Sequence, residues 1–430
     1  METNLLKHVL SAACEAPSDV LYTARQLAKV FLTKHGLPNR TDENWKYTDL
    51  NPLLQFDWND SPPASFNKIA LPASIENDTD CDRLVFVNGR YDKGLSSVNT
   101  LPQGVVMCSF AEALLNHHDL ITLHAGKAIS ASSDPFISLN TMSSADGAFI
   151  VIPAKTTIPR PVLLIFIGEA TTGNFLVQPR NMILAGSHSS ISVSELYFTN
   201  GSVGSILTNV ITEIECGKAS KVQYAVVKKE SDKSFNISSA FVKQEEQSSL
   251  SSLQVSLTGA ISRNNFFTDL IEKDAMADLN GLYAIDGSAH ADFRTLIHHS
   301  AAGCRSNQLY KGILHGKSTA VFSGKILVKE DAQQTNAFQS NKNILVSDQA
   351  SVQSIPQLEI FADDVKCTHG STTGQVDKEA LFYLQARGIA RENALQLLLR
   401  SFADEVIQKA GNNVLSAIVA AESGYVNEIA

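Results

Sequence analysis

SISVSELYFTNGSVGSILTNVITEIECGKASKVQYAVVK, residues 190–228, is where the architecture of this chain first becomes legible. Three runs of apolar and β-branched residues, SISVSELYF, ILTNVITEIEC and KVQYAVVK, are separated by short stretches of Gly, Ser, Asn and Lys. β-Branched and aromatic side chains suit extended backbone, and turn residues at this spacing punctuate strands rather than helices. The same texture runs from about residue 145 to 375, through FIVIPA, VLLIFIG, SLQVSLTG, TAVFSGKILV, KNILVS and QLEIFA. Long helical patterns are almost absent there. Such a stretch can close as a sandwich, a barrel or a β-solenoid. About 230 residues of short strands are large for a sandwich but natural for a solenoid that adds coils. A solenoid also tolerates weak repeats, and no strict sequence period is visible. The Ser, Thr, Asn and Gln content suits stacked turns whose backbone bonds run between coils.

The flanks read differently. Residues 2–14 and 19–35 look helical, the second with apolar spacing at Leu21, Leu27, Val30 and Phe31 and a stop at Gly36 and Pro38. ENWKYTDL follows at 43–50, and Ser61, Pro62, Pro63 and Ser65 mark a loop. RLVFVNGRY at 83–91 reads as a strand with the tight-turn pair Asn88-Gly89. Residues 109–118 suggest a short helix. After Thr373, DKEALFYLQARG at 377–388 has an N-cap in Asp377 and a C-cap in Gly388. ARENALQLLLRSFADEVIQKAG at 390–411 is a second helix, with Leu395, Leu397, Leu398, Leu399, Phe402, Val406 and Ile407 spread over more than one face. A short helix around 413–420 follows. The tail carries more apolar surface than one packing contact needs, so it is either buried on its own solenoid or presented to a partner. The expected division is a mixed, largely helical domain at 1–144, the β core at 145–375 and a helical domain at 376–430.

Composition narrows the function classes. The chain of 430 residues is 44% hydrophobic and 18% charged, enough to bury a substantial core and unlike a disordered chain. Its formal net charge of -9 argues against nucleic acid or an anionic membrane as the main partner. METNLLKHVLSAACEA carries Glu2, His8 and Glu15 and lacks the apolar run of a signal peptide. PVLLIFIG at 161–168 is far shorter than the roughly 20 residues that span a bilayer. A soluble, cytoplasmic protein is expected. The six cysteines, Cys14, Cys81, Cys108, Cys216, Cys304 and Cys367, include no CxxC pair, which disfavours a zinc knuckle or a local cluster-binding loop.

Three segments invite a chemical reading. GILHGKST at 312–319 imitates a phosphate-binding loop, but three residues separate Gly312 from Gly316 where the motif needs four. A strand-like AVFSGKILV follows it, so no helix N-terminus is available for a phosphate. His290, His298 and His299 lie near Asp292 and Cys304 and can be read as metal ligands, since imidazole and thiolate bind metals well, yet strand alternation sends His298 and His299 to opposite faces. In FADDVKCTHGSTTGQVD at 361–377, Cys367 and His369 stand two apart and share a face if extended. An imidazole can take a thiol proton, and both groups ligate iron. A buried cysteine beside an edge histidine is the plainer alternative.

SNQLYKGILHGKSTAVFSGKILV, AQQTNAFQSNKNILVS and SIPQLEIFADDVKCTHGSTTGQVDKEALFYLQARGI, between about 305 and 405, resemble the core domain of the SufB/SufD family of iron–sulfur cluster assembly proteins. ENWKYTDL is similar to the opening segment of the SufD type, and RLVFVNGRY resembles the strand after it. This N-terminal part and the total length favour the SufD type over SufB. The resemblance implies a right-handed parallel β-helix flanked by N-terminal and C-terminal helical domains. It implies a scaffold without catalytic turnover, which docks the SufC ATPase through its C-terminal helices and pairs with SufB through its β-helix. No cofactor would be permanently bound; a transient iron–sulfur cluster would form at the SufB interface. The family histidine of the CxHG segment matches His369, the expected metal-site residue, and the neighbouring cysteine matches Cys367. Phe382, Tyr383, Leu398 and Phe402 are the candidate SufC anchors. The open edge of a β-helix leads us to expect a homodimer when the chain is isolated. For residues of about 110–290 no roles carry over.

Two other readings compete with this one. A carbohydrate-active β-helix enzyme needs carboxylates clustered on one face, whereas Asp363 and Asp364 are adjacent and point opposite ways; the helical tail and absent signal peptide also count against it. A SufB-like principal cluster carrier would need more cysteines near the end of the core.

Overall fold

The computed structural model describes residues 3–11, 20–60, 80–126, 134–170, 173–200 and 203–410, together with 69, 71, 75 and 419. Cys14, the loop at 61–65 and all of the 413–420 segment except residue 419 lie outside them.

Consecutive strands of the core do not pair; from Arg180–Ala185 onward each pairs in parallel with the next but one, so the chain winds between two sheets. Ile206 pairs with Ser234, Phe235 with Ile261, Ile261 with His290, His290 with Thr319 and Thr319 with Ser351. One coil is therefore roughly 30 residues, within the range of stacked repeats. The parallel solenoid expected from the strand runs is present, and the helices are confined to its flanks.

The repeat is a backbone repeat. Lys155, His188, Ala219, Gln247, Asp274, Gly303 and Gln334 all have positive φ, one per coil, at the same turn. His188 N–H donates to the Lys218 carbonyl, Ala219 to Glu246, Gln247 to Lys273, Asp274 to Ala302, Gly303 to Gln333 and Gln334 to Asp364. A left-handed conformation costs a non-glycine residue roughly 1–2 kcal/mol, and this ladder offsets that cost coil after coil.

Between the sheets, aromatic side chains stack along the axis. Phe86, Phe166 and Tyr197 have ring centroids 4.9 and 4.8 Å apart, and Tyr283, Phe293, Tyr310 and Phe322 continue the column further on. Outside the second sheet, the helix Arg391–Ile407 buries Leu399, Ala403, Val406 and Ile407 in a cluster with Leu253, Leu282, Leu309 and Ile313. Outside the first sheet, Leu5, Leu32, Trp45, Trp58 and Phe136 cluster with Leu207, Phe235 and Ile261.

The sheets begin before residue 145. Asp82–Val87 pairs in parallel with Val162–Gly168 and turns back through Asn88-Gly89, both at positive φ, into the antiparallel Arg90–Ser97. Val106–Ser109 runs antiparallel to Ala148–Ile152. These antiparallel strands end the solenoid on one side. On the other, Ser351–Ile360 and Val365–Gly374 each pair with one neighbour only among the described residues.

Candidate functional site

The last strand, Val365–Gly374, pairs in register with Thr335–Leu345, setting Cys367 beside Ala337 and His369 beside Gln339. Val365 and Cys367 pack with Ile326, Val328, Ala332 and Ala337, so this face points inward between the sheets. Strand alternation puts His369 and Ser371 on the same face. Ser371 donates to Ser354 Oγ at 2.8 Å, Ser354 donates to Asn341 Oδ1 at 2.8 Å, and Asn341 Nδ2 donates to the Tyr283 hydroxyl at 2.9 Å. The interior thus changes from apolar at Cys367 to polar at Ser371, and His369 stands at the change. Cys367 is half-buried and burial pushes its thiol pKa up, favouring the protonated form. His369 is exposed.

One thiol and one imidazole suit iron as donors, but two donors cannot complete a tetrahedral site. Around them, Phe361 is 64% exposed, Phe338 45% and Ile360 37%. The sequence reading did not single these out. The alternation that turned Ala337 and Gln339 inward places Phe338 outward, which is the signal that could have found it.

The tail helices carry the other candidates. Asp377 caps Lys378–Ala386 by accepting from the N–H groups of Glu379 and Ala380, and Gly388 follows at φ 87°. No described residue of this helix is buried; Phe382 is 72% exposed, and Tyr383 is likewise exposed under the guanidinium of Arg387. Leu398 and Phe402 lie on the second helix and are half-buried. Phe402 is committed to its own chain: Lys311 Nζ lies 4.2 Å from its ring centroid and donates to its carbonyl oxygen at 2.7 Å.

The histidines at 290–299 have other employment. His290 contacts the Thr48 and Thr319 hydroxyls, and burial lowers its pKa. Asp292 pairs with the buried Arg263 at 2.7 Å and with Arg294 at 3.2 Å. The Arg263 guanidinium lies 3.6 Å from the Trp45 ring centroid and donates to the Asn44 carbonyl. ENWKYTDL is therefore a clasp that pins the N-terminal segment to the solenoid. His298 faces Asp269 on the outside, whereas His299 is fully buried and contacts Ser306, as alternation requires. Gly312 lies within the strand Arg305–Leu314 and Gly316 in the turn that leads to Thr319–Val328, so strand and not helix follows, as the failed phosphate-loop reading expected. A cleft of about 1070 Å³ between the clasp and the helix Arg391–Ile407, lined by Tyr47, His290, His315, Glu392 and Leu395, takes no residue from the last coil.

Two family models account for nearly the whole chain. Residues 166–402 match the SUF system FeS cluster assembly SufBD core domain, and residues 3–164 match the SufBD protein N-terminal region. The chain belongs to the SufBD family. A SufBD family iron–sulfur cluster assembly protein of Synechocystis is 30% identical over 91% of this chain and 87% of its own length. The iron–sulfur cluster assembly protein SufD of Escherichia coli is 29% identical over 91% of this chain and 90% of its own. The chloroplastic protein ABCI7 of Arabidopsis thaliana is 30% identical over 87% and 79%. Both SufBD models meet inside the first coils, where the strand Val162–Gly168 closes the N-terminal match and opens the core. Among the described residues no helix is long and apolar enough to cross a membrane.

Proposed function

We propose that this protein is a SufD-like scaffold, without turnover of its own, in a complex with a SufB-type solenoid and a SufC-type ATPase. The complex assembles an iron–sulfur cluster, which is cargo and not a resident cofactor, and passes it on in the cytoplasm. The observation that carries this reading is the last coil: a thiol and an imidazole share its inner face, with strand edges that are unpaired among the described residues and exposed Phe338, Ile360 and Phe361 around them. An incomplete donor set at an end without a cap among the described residues suits a site completed by a second chain. His369 supplies a ligand or a proton acceptor, because neutral imidazole offers one lone pair and one N–H. Cys367, held as a thiol by burial, supports it from below. The same edge accounts for a homodimer when the chain is alone.

The ATPase docks on the tail. Phe382 and Tyr383, exposed on a helix with nothing buried, are the foremost anchors; Leu398 flanks them, and Phe402 fixes the second helix to the solenoid. Co-purification tests this. The intact chain should bring down both partners, and the chain ending at Thr373 should keep the solenoid partner and lose the ATPase. Undiminished ATPase capture by the shortened chain rejects the docking surface. Failure of the intact chain to capture a second solenoid rejects the scaffold.

A further inference from the structure

Gln339 stands beside His369 in the ladder and is itself 3% exposed. Its amide nitrogen is engaged: Nε2 donates to Gln308 Oε1 at 3.3 Å, and that oxygen also accepts from the Thr295 hydroxyl at 2.8 Å. Its amide oxygen, Oε1, is buried and has no hydrogen-bond partner among the described residues. Buried carbonyl oxygens are seldom left unpaired, so such an atom asks what it meets in the working state. Neighbouring parallel strands lie about 4.8 Å apart, so the imidazole of His369 on the next strand is within reach of this oxygen.

We propose that Gln339 is the positioning residue of the interfacial site. When a partner covers the end coil, Gln339 Oε1 accepts a hydrogen bond from one ring N–H of His369. The imidazole is then held in a single tautomer, with its other nitrogen bare and directed to the partner. This rests on the reading of His369 given above. A metal-binding or proton-accepting imidazole works only if the correct nitrogen is bare, and an acceptor on the far N–H is what selects it. A neutral amide does so without drawing the proton off the ring, as a carboxylate can. The amide cannot swing freely, because its nitrogen donates to Gln308 Oε1 on the coil beneath, an oxygen that the Thr295 hydroxyl also holds. Gly324 leaves it room: a Cβ there would lie 2.0 Å from Gln339 Nε2.

The test uses the assembled complex with ¹⁵N-labelled histidine, the His369 signals being assigned by their loss in His369→Asn. One tautomer is expected in the natural sequence. Gln339→Met is unbranched, similar in size and lacks the acceptor; it should give mixed tautomers and cut cluster formation about tenfold. Gly324→Ala, which displaces the amide without altering it, should reproduce the Met variant and carries the test if Gln339→Met does not fold. A single unchanged tautomer in Gln339→Met, or in Gly324→Ala where that variant carries the test, overturns the inference. His369→Asn complexes that build cluster at the normal rate would sink the underlying site as well, so the two failures are distinguishable.

Discussion

Two strands of the same sheet, Lys221–Lys229 and Val365–Gly374, make the same kind of parallel ladder and meet opposite fates. The first is buried along most of its length, flanked by a coil on each side, while the second is exposed at nearly every position. The beginning of the solenoid is closed by antiparallel strands, the coils further along are overlaid by the clasp around Trp45, and the other end has no comparable cover among the described residues. A stacked fold ordinarily needs both ends capped, and a bare edge is a template for another chain. Substitutions in the sealed coils should therefore cost stability, and those in the last coil should cost association.

The largest effect belongs to the clasp. Asp292→Ala leaves Arg263, 1% exposed, without its 2.7 Å partner. Breaking a buried ion pair costs about 3–5 kcal/mol, and urea unfolding should register that loss together with release of the Trp45 fluorescence environment. A cost of only about 0.5 kcal/mol would show that the clasp does not hold the N-terminal segment to these coils.

Acid should act on the sealed coils next. Burial pushes the His299 pKa down from 6.5 to about 4, so the folded state holds fewer protons than the unfolded one. The stability tied to this group is complete above pH 6.5 and is lost as pH falls toward 4, by about 3 kcal/mol from the size of the shift. His299→Gln should flatten that part of the pH profile. An unchanged profile would mean that other groups set the acid limit.

The smallest effect on folding, and the sharpest contrast, is expected at the open end. Phe361→Ser removes an apolar side chain that is 64% exposed, so its unfolding midpoint should stay within the usual scatter of surface substitutions, about 0.5 kcal/mol. Pairing with a second solenoid should weaken, as sedimentation or light scattering of the mixture would show. A variant that unfolds early while pairing normally would reverse the comparison.

How much of this the sequence revealed depends on the range of the interaction. The solenoid was readable because each strand carries its own local signature, and the shared face of Cys367 and His369 follows from alternation alone. The coil period was hidden, since the turn that repeats is occupied by Lys155, His188, Ala219, Gln247, Asp274, Gly303 and Gln334, residues with no chemistry in common. A repeat of backbone conformation leaves no repeat of letters. Asp292 and His290 drew attention as metal ligands because their partners, Arg263 and Thr48, come from another coil and from the N-terminal segment. Phe402 looked free for the same reason: Lys311 lies far from it in the chain. The place of Gln339 under His369 needs the register between two strands, which no local pattern encodes.

The central claim is that the last coil carries a cluster-assembly site shared with a partner. The direct measurement is the rate of cluster formation by the reconstituted complex carrying His369→Ala, followed by absorbance and by iron and sulfide content. This complex should assemble normally, with an unfolding midpoint matching the natural sequence, and build cluster about tenfold more slowly. A complex that assembles and builds cluster at the undiminished rate would contradict it, leaving His369 as an interface contact and nothing more.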